Sequence, residues 1–225
     1  MQEVAVDPWA FGWTHVLTIV GFCVTIGIAY FGFRTFDRWK REKIEEKRID
    51  IAIQALELAY EVQEAFSIIR SSGTFGSEYA DMPRREGEND ASYSARGSFY
   101  AILKRVQNHD DLFERLAKFR PRYIALFGVE AADFFQAARE ARAFVVVSAQ
   151  ELCYRPFIGP NAQDRRTRME CDVWEGMAEV YQQEIKDANR VDVRVKTFVD
   201  AIEKACRPII DRTLGSERDH AELEG

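Results

Sequence analysis

Hydrophobic positions are distributed along this 225-residue chain in two different ways. From Val16 to Phe33 no residue carries a charge, and only His15 interrupts the apolar run back to Trp9. About 20 consecutive apolar residues match the hydrocarbon thickness of a bilayer at the α-helical rise. Residues 9–36 are therefore expected to form one transmembrane helix. Beyond them, apolar and charged residues alternate with a helical period. The expected fold class is all-α, with a single N-terminal transmembrane helix continuing into a cytoplasmic helical bundle of about five helices.

Asp7-Pro8 reads as a helix start, and residues 1–8 as a short extracytoplasmic tail. Trp9, Phe11 and Trp13 then make an aromatic belt at one interface, matched by Tyr30, Phe33, Phe36 and Trp39 at the other. No proline or glycine falls between Gly32 and Gly73. The same helix can therefore run through the charged stretch 34–48 and onward. From Ile49 its pattern changes. Ile49, Ala52, Ile53, Leu56, Ala59, Tyr60 and Phe66 form one apolar face; Ile51, Ala55, Leu58, Val62, Ala65 and Ile69 form a second. Asp50, Gln54, Glu57, Glu61 and Glu64 make a single polar stripe, which predicts a central helix packed by several others.

The helical domain is expected to span 37–214, interrupted by a long loop at 71–98 that holds four glycines and a proline. Loops of that length are either functional or mobile connectors. Asn108-His109-Asp110-Asp111 reads as a pause, with Asp111 and Glu114 as a capping box. Pro121 should kink or restart the next helix, which ends at Gly128. A helix then covers roughly 130–154; its Phe144–Val147 run has strand character, but the length and the alanine-rich flanks favour helix. Further helices are expected over about 164–186 and from Val191 through Ile209. Residues 215–225 lack apolar content and should fray as a disordered tail.

Charge gives the first segment a direction. Residues 1–33 contain Glu3 and Asp7 but no Lys or Arg, so all 31 basic residues lie beyond the apolar run. The positive-inside rule then puts the N-terminus outside and the helical domain in the cytoplasm, at the inner membrane if the cell is bacterial. An acidic start and bulky basic residues after the run argue against a cleaved signal peptide. Cys23, Cys153, Cys171 and Cys206 are far apart with no CxxC pair, which suits free thiols in a reducing compartment. From Ile49 onward 24 basic residues face 31 acidic ones, a balance that disfavours nucleic acid as a partner.

Candidate chemistry is thin. The chain lacks a phosphate-binding glycine loop, HExxH, GxSxG and SxxK. Glu57, Glu61 and Glu64 read as a solvated or ion-pairing row. Arg120, Arg155 and Arg207 each precede a proline and are candidate anion-binding groups, because a guanidinium fork fits phosphate and carboxylate. Within the apolar run, Thr18, Gly21, Thr25, Ala29 and Gly32 recur at spacings of three and four, a small-residue face of the kind that lets membrane helices approach closely. No cofactor or metal is implied. The expected role is a membrane-anchored, non-enzymatic scaffold or interaction module whose partners are the bilayer and a protein or second copy. A ligand receptor or enzyme built on the arginines is the alternative, and an oligomerising membrane effector the third.

Overall fold

A computed structural model describes residues 12–181, 184, 185 and 187–223, with backbone alone for 13, 14, 131, 132 and 213–223. Among them the regular structure is all helical. Seven α-helices follow one another: α1 (Trp13–Ile69), α2 (Asp90–Asn108), α3 (Asp110–Phe127), α4 (Ala132–Tyr154), α5 (Ala162–Val173), α6 (Met177–Tyr181) and α7 (Arg190–Leu223). Short 3-10 turns lie at Gly76–Tyr79 and Val129–Ala131. The chain divides into two compact units, Met1–Arg48 and Ile49–Gly225. The expected helix start at Asp7-Pro8 and the rings of Trp9, Phe11 and Trp13 lie outside the described residues.

In the first unit α1 carries an 18-residue window long and apolar enough to cross a membrane, and none of that window is buried. Phe22, Ile28 and Phe33 are among its exposed side chains. Thr25 and Thr35 donate their hydroxyls to the carbonyls of Gly21 and Phe31, at 2.8 and 2.9 Å. Such back-bonding satisfies a hydroxyl within the helix itself, whatever surrounds it. Arg38 pairs with Glu42 and Lys43 with Glu46, one helical turn apart along the charged stretch.

The second unit has one principal core. α4 packs against α2, α3, α5 and α7. Residues 51–69 of α1 enter the same core through Ile51, Ala55, Ala59, Val62, Phe66 and Ile69. That segment is buried along one broad side, not most of the way round. Ile53, Tyr60 and Ile68 stay exposed, and the Tyr60 hydroxyl is taken up by Glu203 and Arg207 of α7. A tyrosine counted as apolar by its ring can thus lie at the surface with its hydroxyl held by polar side chains.

The 71–98 loop is shorter and better held than its composition suggests. Asn89 caps α2, its side chain accepting from the Ser92 amide at 2.8 Å, so residues 90–98 are already helix. Gly97 does not end the helix; it makes room. A Cβ there would meet ring carbons of Tyr79 at 2.5 to 2.8 Å, so the loop tyrosine lies directly on the α2 backbone. Two α2 arginines pin the rest. Arg105 reaches the carbonyls of Ser71 and Gly73 and the Glu78 carboxylate. Arg96 makes a buried two-point pair with Glu88, at 2.8 and 2.7 Å.

That pair gives a pH prediction. The Arg96 hydrogen bonds hold the Glu88 carboxyl down at about 2, from an ordinary 4.5. Its stabilisation is full above the unfolded value and fades as pH falls from about 4.5 to about 2. Followed by NMR at its side-chain carboxyl, Glu88 should titrate near 2, and Arg96→Gln should return the midpoint towards 4.5. An unchanged midpoint in the variant would mean that another group holds the proton off.

Helix boundaries differ from expectation in four further places. His109, not Asp111, is the cap between α2 and α3, and its ring bonds the Arg105 carbonyl at 2.8 Å. Pro121, expected to kink or restart the helix, sits inside the continuous α3, since its buried neighbours Phe119 and Tyr123 hold the turn despite the missing amide; Pro208 lies within α7, inside the helix expected through Ile209. The expected 164–186 helix instead breaks after Val173, where Gly176 takes φ +79° and α6 begins at Met177. Arg70, at the end of α1 and 3% exposed, explains the break. It donates to the Cys171 and Trp174 carbonyls at the end of α5 and to Asp192 of α7. Its own carbonyl accepts the Glu175 amide at 2.8 Å. At the far end α7 keeps helical backbone to Leu223, into the segment expected to fray. Glu217, Arg218, Ala221 and Glu222 there are all good helix formers.

Candidate functional site

The three arginines singled out by sequence lie on three helices and share no partner among the described residues. Arg155 is exposed at the end of α4 and pairs with Glu151, one turn back, at 2.9 Å. Arg207 on α7 donates to the Tyr60 hydroxyl at 3.1 Å. Arg120 alone lines a substantial cavity, a groove of about 440 Å³ between α3 and α4.

That groove follows from local sequence. Gly128 (φ +94°) and the 3-10 turn at Val129–Ala131 fold α4 back beside α3 as a helical hairpin. α3 contributes Phe113, Leu116, Ala117 and Arg120, spaced as one helical face. α4 contributes Phe135, Arg139, Arg142, Ala143, Val146 and Val147 at the matching period. The floor is apolar, and Val147 is 53% exposed although it lies in a helix of the core. Arg120, Arg139 and Arg142 supply the polar groups. Arg142 is held in place by Asp110 at 2.5 Å and lies 4.8 Å over the Phe113 ring, while its Nε is buried without a hydrogen-bond partner. Neither Arg120 nor Arg139 has an ion-pair partner among the described residues. Arg120 is marked in the sequence by its neighbouring proline, whereas nothing there marks Arg139 and Arg142, whose common face with Val146 shows only once α3 lies alongside.

The most enzyme-like constellation lies elsewhere. Asp172 is fully buried on α5, where it accepts the Ser148 hydroxyl at 2.5 Å and Arg190 Nε at 2.7 Å. Arg190 stacks over the Phe144 ring at 4.0 Å, and its hydrogen bonds to Asp172 raise its pKa above the ordinary value. A serine beside a carboxylate can suggest a nucleophile, but here the hydroxyl is a donor to an anion already occupied by arginine. Ser148 is 1% exposed and has no histidine or lysine base against it among the described residues. The network ties α4, α5 and α7 together; it does not present a reactive atom to solvent.

A larger cleft of about 670 Å³ between α1 and α7 holds Glu64, Glu175, Asp192 and Asp200. Its charges are partly spent internally, Arg70 on Asp192 and Ser67 on Glu175. Among the described residues no group of three or more His, Cys, Asp or Glu is placed to hold a metal ion. The thiols of Cys153, Cys171 and Cys206 are free and buried, and burial pushes the pKa of each up, so they are poor nucleophiles. Glu61 of the acidic row pairs with Arg115. In the first unit Thr18, Gly21, Thr25, Ala29 and Gly32 are all exposed, and nothing lies within 4 Å of a Cβ built at Gly21 or Gly32.

Comparison with protein-family models, curated proteins and solved structures finds no match. The site stands on its own geometry.

Proposed function

We propose that this chain is a membrane-anchored helical interaction module, with its N-terminus outside and its 37–214 helical domain on the cytoplasmic side. One observation carries the reading. An 18-residue apolar window, none of it buried among the described residues, precedes a domain with its own core. Leaving such a surface in water is costly, roughly 25 cal/mol for each Å² of apolar area, whereas lipid removes that cost. The one-sided placement of all 31 basic residues supports the orientation. The small-residue face through Gly21, Thr25 and Ala29 supports pairing with a second copy in the bilayer. The open α3–α4 groove supports a protein partner on the domain.

Two arginines in the apolar window should abolish anchoring, since each adds roughly 2.5–3.5 kcal/mol to insertion at a helix centre. The Val20→Arg/Val24→Arg chain is expected in the alkaline-carbonate supernatant, with the natural chain in the membrane pellet. Retention of both in the pellet would mean that the apolar helix is not what holds the protein there.

A further inference from the structure

We propose that the groove between α3 and α4 docks an acidic amphipathic helix of a partner protein. The inference deepens the interaction-module reading and rests on it for the existence of such a partner.

Shape comes first. The lining residues of α4 run from Phe135 to Val147, an axial length of about 18 Å at the helical rise. That matches about three turns of a guest helix laid along the hairpin, whereas a compact small molecule would fill only part of it. Ala117 on α3 and Ala143 on α4 leave the middle of the trough shallow-walled, so a guest backbone can come close. The floor offered by Leu116, Phe135 and Val146 suits a row of apolar side chains at i, i+3 or i+4, and i+7, the usual anchors of helix-in-groove recognition.

Charge then selects the guest. The domain as a whole is acidic, yet the groove gathers three arginines, with Asp110 the one carboxylate paired to any of them among the described residues. Arg120 rises from α3 and Arg139 from α4, so positive charge stands on both walls. An apolar guest helix with Glu or Asp flanking its apolar stripe meets both at once. A basic helix would place like charges together, an arrangement that works against binding.

The test uses the full chain in detergent micelles, so that it is independent of insertion. Displayed random peptides of about 14 residues are selected on it, and the enriched peptides are measured by fluorescence anisotropy. Enrichment of sequences with helical apolar spacing and acidic flanks is expected. Their affinity should fall at least about tenfold with Arg120→Glu/Arg139→Glu, whose side chains lie on the walls and not in the core. It should also fall with Val147→Asp, and on raising salt from about 0.05 to about 0.5 M. Circular dichroism should show all variants equally folded. The proposal is overturned if nothing is enriched, if enriched peptides are basic or unbiased in charge, or if the arginine variant binds them unchanged. It is also overturned if the groove variants abolish binding of anionic vesicles or a self-dimer instead of peptides. A chain that fails to anchor in membranes but binds acidic helices would retain this inference and lose the anchor; the opposite pattern would do the reverse.

Discussion

An Asp172→Ala chain should unfold about 2–3 kcal/mol more readily than the natural one. Asp172 is fully buried and is the shared acceptor for Ser148 and Arg190. Removing it leaves a cation and a hydroxyl without their anion, and breaking a buried pair in this way typically costs about 3–5 kcal/mol. Arg190 keeps a quarter of its side chain in solvent, which lets it recover some hydration and lowers the figure. Asp172→Asn retains an acceptor oxygen for the hydroxyl and should cost roughly half as much. Urea titration followed by near-ultraviolet circular dichroism reads the difference. An Asp172→Ala midpoint equal to the natural one would show that the network is not structural and would reopen a chemical role for it.

Phe135→Ala should cost still more, about 3–5 kcal/mol. The ring is 2% exposed and sits 5.4 Å from Tyr123, 5.8 Å from Phe198 and 6.4 Å from Phe119, centroid to centroid. It therefore joins α3, α4 and α7 at one point, immediately below the α3–α4 groove. Truncation removes transfer energy and leaves a cavity that three helices cannot close without moving. Phe135→Leu keeps most of the volume and should cost under about 1.5 kcal/mol. The same titration distinguishes them; equal losses for Ala and Leu would point to the ring contacts, and not volume, as the source.

Much of the helical layout was legible because it rests on short-range rules. The uncharged run before Arg34, the period of Ile51 to Ile69 and the stop at Gly128 need no knowledge of neighbours. The valines at 145–147 are helical in α4 because their flanks settle what three β-branched residues cannot. What was not legible depends on residues far apart in sequence. Gly97 looks like loop until Tyr79 is seen on its backbone. Trp174–Gly176 looks like continuous helix until Arg70 is seen taking the α5 carbonyls. Ile53 and Tyr60 look like core by hydropathy, and only the packed domain shows that they lie at its surface. The groove is a case of the same kind. Arginine beside proline directed attention to Arg120, Arg155 and Arg207, but the useful grouping is Arg120 with Arg139 and Arg142, assembled by a hairpin.

The proposed topology has the apolar helix crossing a membrane and the helical domain inside. The direct measurement is labelling with a membrane-impermeant thiol reagent before and after cell lysis, on chains carrying Gln2→Cys or Ser72→Cys. The natural cysteines give little background, because three are buried in the domain and Cys23 lies within the apolar run. Position 2 is expected to react in intact cells, and position 72 only after lysis. Labelling of position 72 in intact cells, or of position 2 only after lysis, would contradict that topology.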